Sequence, residues 1–62
     1  MDAKIYVMIR DMTRKQLGAV ILGAGYAIPQ DKSKDALADY VRSQYQSGNI
    51  EASDIVMEWE AA

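Results

Sequence analysis

Few residues in this 62-residue chain are of types that do chemistry, and their spacing decides what each group can do. Asp35 and Asp39 stand four apart, so on a helix their carboxylates lie one turn from each other, where such a pair can share a metal ion or act as acid and base. Ser33, Ser43, Ser47 and Ser53 are nucleophiles in principle. Gly18, Gly23 and Gly25 invite comparison with loops that bring backbone amides to a phosphate. Arg14, Lys15, Lys32 and Lys34 can hold an anion.

Most of this chemistry lacks a partner. The chain has no His and no Cys, so the commonest general base and the commonest transition-metal ligand are missing. Without a third clustered ligand, Asp35 and Asp39 read as a solvated helix face, with Asp35 favourably near the positive end of the helix dipole. No serine has a base to activate it. The glycines fall within and after an expected helix rather than before one, and no Gly-Lys-Ser or Gly-Lys-Thr accompanies them. No catalytic residue, metal or cofactor is expected, and the chain is read as a non-enzyme. Only the cationic group is left with a function to explain.

The elements that position those cations follow from hydrophobic periodicity. Residues 4–10 alternate, with Ile5, Val7 and Ile9 on one face and Lys4, Tyr6, Met8 and Arg10 on the other, which predicts a strand. Thr13-Arg14-Lys15-Gln16 has the capping-box form, and Leu17, Val20, Ile21 and Ala24 then recur at helical spacing, so a helix is expected over about 13–24. Gly23 and Gly25 are placed to end it, and Gly18 inside it marks a close approach of another group. Pro29 forces Ile28 to be extended, so the connection is a long one. Ser33 caps a second helix over about 33–47, with Asp31 as the alternative cap, a buried stripe of Leu37, Tyr40, Val41 and Tyr45, and Ser47-Gly48-Asn49 as its stop. Residues 54–60 alternate again, with Ile55, Met57 and Trp59 on one face.

The expected fold is therefore a single α+β domain over residues 1–62, in the order strand, helix, helix, strand, with an antiparallel two-stranded ribbon packed on the two helices. In one antiparallel register Ile5 meets Trp59, Val7 meets Met57 and Ile9 meets Ile55 inside, while Lys4 meets Glu60, Tyr6 meets Glu58, Met8 meets Val56 and Arg10 meets Asp54 outside; a parallel pairing also puts Arg10 near Glu60, so charge alone leaves the strand direction open. Cross-strand pairs of this kind contribute roughly 0.2 to 1 kcal/mol each. A chain of this size buries only about 60% of its unfolded surface, so the core is thin and self-association is a natural supplement.

Charge is unevenly distributed. The net charge is -2, yet residues 1–34 carry six basic groups against three acidic ones, and residues 35–62 carry Arg42 alone against six acidic groups. The ribbon would neutralise part of this polarity, leaving Arg14, Lys15, Lys32, Lys34 and Arg42. The longest apolar run, Ala19 to Ile28, is broken by Gly23 and Gly25 and is about half the ~20 residues a membrane span needs. No membrane association, no secretory leader and a cytoplasmic location are expected.

The stretch from Met12 to Val41 resembles the helix-extended-loop-helix group that includes SAP, LEM and HeH modules. In those, a capped first helix carrying a leucine is followed by a glycine, an extended loop and a Lys-x-x-Leu start to the second helix. Thr13, Leu17, Gly25, Lys34 and Leu37 occupy the matching positions, over roughly half the chain. The resemblance implies a DNA-binding or protein-docking module, with Arg14, Lys15, Lys32 and Lys34 matching the usual basic contact region. The flanking segments and the acidic second half depart from its pattern. Ribbon-helix-helix repressors compare less well: their interhelical turn is tighter than Gly25 to Ser33, and Tyr6 and Met8 are poor base readers.

The function expected first is a small accessory or regulatory DNA-binding protein, phage- or bacterium-like in size, contacting phosphates through the two basic helix starts. The alternative is a protein-binding modulator or inhibitor acting through its acidic C-terminal half and the outer ribbon face, with Tyr6, Met8, Glu58 and Glu60 as contacts. A homodimer through the ribbon is a third arrangement, since an isolated ribbon has open edges and apolar Tyr6 and Met8 on its outer face need cover.

Overall fold

The first and last segments are helices, not strands. The structure is a computed structural model that describes residues 3–61, and these contain four α-helices and no strand: α1 (Ala3–Asp11), α2 (Arg14–Gly23), α3 (Lys34–Gln46) and α4 (Ala52–Ala61). The α+β ribbon fold is thereby overturned, and with it the outer ribbon face and a homodimer built on paired strands.

Burial shows why. Ile5, Met8 and Ile9 of α1 and Met12, the residue that follows it, face the core and are spaced i, i+3, i+4, i+7. In α4 the inward residues are Ala52, Ile55, Val56 and Trp59, with the same spacing. A ribbon would have buried Val7 and Met57, but Val7 is 45% exposed and Met57 64%. Arg10 sits in the last turn of α1 and Asp54 in the first turn of α4, each complementary to its helix dipole. The cross-strand ion pairs Lys4–Glu60 and Arg10–Asp54 do not form. The ion pairs among the described residues are local ones, Arg10 with Asp11 and Arg42 with Asp39.

The two central helices stand where the sequence puts them, and their ends are fixed by side-chain and glycine caps. Thr13 Oγ1 accepts from the Gln16 amide at 3.1 Å, and Gln16 Oε1 accepts from the Thr13 amide at 2.8 Å, a complete capping box. At the other end of α2, Gly25 has φ +91°, its amide donates to the Leu22 carbonyl and the Tyr26 amide donates to the Ile21 carbonyl. This is a Schellman stop, in which only a residue tolerant of positive φ is unstrained. Gly48, at φ +84°, repeats it after α3, with the Asn49 amide donating to the Gln44 carbonyl. Ser33 Oγ accepts from the Ala36 amide at 3.2 Å to open α3. Asp31 is not the cap; its carboxylate accepts the Ser33 amide at 3.0 Å and so supports the capping residue.

The helices pack across the chain rather than along it: α1 and α2 each pack against both α3 and α4. The core at their centre comprises Ile5, Ile9, Met12, Leu17, Val20, Ile21, Leu37, Val41, Ile50 and Ile55, with no polar or charged residue buried among them. Tyr6 on α1 meets Tyr45 on α3 edge-on with ring centroids 5.8 Å apart, and Tyr26 meets Tyr40 in the same way at 6.4 Å. No helix among the described residues is long and apolar enough to cross a membrane.

Candidate functional site

The capped start of α2 and the connection that follows its Schellman stop place three of the four singled-out cations around one concavity. Arg14 and Lys15 occupy the first turn of α2, and Lys32 lies two residues before α3. Together with Gly18, Ile28 and Leu37 they line a cleft of about 320 Å³. The cations form its rim, and the remaining lining is mostly apolar. No carboxylate lines the cleft, and among the described residues neither ion pair involves Arg14, Lys15 or Lys32. The nearest acidic residue in sequence, Asp31, is turned to the α3 cap, where the Ser33 amide and then the Ser33 hydroxyl hold its carboxyl below the usual value of 3.8. In a chain of net charge -2, this is a local concentration of positive charge free of ion pairs, although Lys15 also lines a neighbouring concavity with Glu58.

Lys34 stands apart from it. At the first position of α3 it lines a second concavity with Arg10, Asp35, Asp39 and Arg42. Asp39 is paired with Arg42 there, so the Asp35–Asp39 spacing read above as a solvated face lies in a mixed-sign setting.

Half of the orphan amides at each helix start are taken by capping side chains, while those of Arg14, Lys15, Lys34 and Asp35 have no partner among the described residues. Thr13 and Gln16 satisfy each other, Ser33 accepts from Ala36, and Asp31 accepts from Ser33. Anion recognition at this cleft can draw on the side chains of Arg14, Lys15 and Lys32 and on the unpaired Arg14 and Lys15 amides at the start of α2.

The residues expected to face a protein partner are dispersed. Tyr6 is half-buried against Tyr45, and Met8 is half-buried against the core. Glu58 is half-buried, and its backbone carbonyl accepts from Gln16 Nε2 at 3.4 Å. Glu60 is exposed. Two features went unread in the sequence. One is the apolar floor of the basic cleft, for which Gly18 inside a helix was the signal. A Cβ on Gly18 would meet only Ile28 Cδ1, at 3.6 Å, which is ordinary van der Waals contact and not the close approach expected there. The other is an apolar concavity between α1 and α4 lined by Ala3, Lys4, Val7, Met8 and Trp59.

The chain matches no protein-family model, no curated protein and no solved structure.

Proposed function

We propose that the protein is a small, non-catalytic, cytoplasmic accessory or regulatory DNA-binding protein whose basic cleft engages phosphates. The observation that carries this reading is the convergence of Arg14, Lys15 and Lys32, drawn from two separate elements, on one concavity without a carboxylate. Unpaired cations clustered against the sign of the whole chain are the electrostatic footprint of a polyanion partner. The helix, extended connection and helix of α2 and α3 also keep the order of the helix-extended-loop-helix modules, which supports the same reading.

Titration of a labelled duplex at low salt tests it. Wild-type protein should bind, and Arg14→Ala with Lys15→Ala and Lys32→Ala should remove most of the affinity. Lys4→Ala, on α1 and away from the cleft, should change it little. Absence of binding at low salt would overturn the reading.

The alternative, a protein-binding modulator acting through the acidic half, is favoured by one observation. Asp54, Glu58 and Glu60 on α4 enter no ion pair among the described residues. Charge reversal at Glu58 and Glu60 should then abolish capture of a defined protein partner with circular dichroism unchanged. An unaltered set of partners counts against it.

A further inference from the structure

We infer that the cleft seats a sugar–phosphate strand of duplex DNA without reading its sequence: the cations meet the phosphates, and the floor of Gly18, Ile28 and Leu37 takes the apolar face of the deoxyribose between them. This rests on the DNA-binding reading above and names the part of the ligand that each half of the cleft contacts.

The lining argues against a bare anion. A site for free phosphate surrounds it with donors, whereas here the cations border the hydrocarbon of Ile28 and Leu37. Base readout has few donors to draw on: no Asn or Gln lines the cleft to pair with adenine and no carboxylate to pair with cytosine, which leaves a guanine edge as the one base contact that Arg14, Lys15 or Lys32 could make in place of a phosphate. No aromatic ring lines it either, and Tyr26 and Tyr40 pack edge-on against each other, so the cleft lacks the platform that single-stranded binders offer to unstacked bases.

Gly18 lies in that floor. Glycine in a helix interior is unfavourable relative to alanine, yet Gly18 has no positive φ and no neighbour that a Cβ would strike. Neither backbone nor packing requires it. What its missing side chain does is keep the floor of the cleft open.

The experiment compares wild type, Gly18→Leu, and Lys15→Ala with Lys32→Ala, each against a mixed-sequence duplex, a second duplex of unrelated sequence, and linear polyphosphate. Gly18→Leu fills the floor and leaves the rim charges in place. Its duplex affinity should fall about ten-fold, equally for both duplexes, while polyphosphate binding changes less than two-fold. The rim variant should lose both ligands. Unchanged duplex binding by Gly18→Leu, or an equal loss of duplex and polyphosphate, overturns the sugar seat and leaves the DNA-binding reading standing. Undiminished duplex binding by the rim variant overturns both. If Gly18→Leu loses its helical circular dichroism, Gly18→Ala replaces it, with an expected two- to three-fold loss for duplex alone and the same contrary outcomes.

Discussion

Single residues set the ends of the helices, and the glycines make opposite predictions according to where they sit. Gly25 holds φ +91° in the Schellman stop of α2, so Gly25→Ala should destabilise the protein by about 1 kcal/mol or more in urea unfolding. Gly23, the last residue of α2 and with no atom near its would-be Cβ, should instead gain roughly 0.5 kcal/mol or less when changed to Ala, since the full helix-interior gain applies away from the ends. Removal of the capping hydroxyl by Thr13→Ala should cost about 1 kcal/mol in the same measurement. Asp31 carries a pH signature. Its folded pKa is lowered by the Ser33 amide and hydroxyl, so its stabilising effect is present above the unfolded value near 3.8 and is lost as pH falls through the folded value. An NMR titration should give Asp31 a midpoint below 3.8, and Asp31→Asn should reduce the acid sensitivity of the α3 cap. A midpoint at or above 3.8 would contradict the cap arrangement.

At the scale of elements, the helices that were legible carried their own punctuation. Thr13 with Gln16, Ser33, Gly25 and Gly48 mark both ends of α2 and α3, and the buried Leu17, Val20, Ile21, Leu37 and Val41 follow from helical spacing alone. α1 and α4 were misread because residues four apart share a face under both periods. Ile5 with Ile9, and Ile55 with Trp59, satisfy a strand as well as a helix. β-branched Ile5, Val7 and Ile9 favoured the strand locally. The deciding residues lie outside the short alternating windows: Met12, at 0% exposure, and Ala52 extend the stripes at helical spacing. The chemically matched register of Lys4 with Glu60 and Arg10 with Asp54 was a coincidence of charge pattern. Substitutions separate the two folds. Val7→Lys and Met57→Lys should each shift stability by no more than about 0.5 kcal/mol, because both side chains face solvent, whereas a ribbon would bury them. Ile9→Ala and Ile55→Ala should cost about 2–5 kcal/mol. A large loss at Val7 or Met57 would restore the ribbon.

Over the whole molecule, the change of fold also changes the meaning of the charge asymmetry. With no ribbon to neutralise the basic first half against the acidic second half, the ion pairs that form are local, and Arg14, Lys15 and Lys32 stay unpaired around one cleft. That the cations matter was legible from their position at the helix starts. Which of them converge was not, because the path from Gly25 to Ser33 decides that Lys32 turns toward α2 while Lys34 lines another concavity. If the three rim cations each neutralise one phosphate, the logarithm of duplex affinity should fall with the logarithm of salt at a slope of about -2.7, and Lys32→Ala should reduce that slope by about one phosphate. The most direct test is to follow backbone amide signals by NMR while duplex DNA is added at low salt. Shifts concentrated at residues 14–18, at Ile28 and at residues 32–37 are the predicted result; shifts confined to α1 and α4, or none at all, would contradict the assignment of the basic cleft as the DNA-binding site.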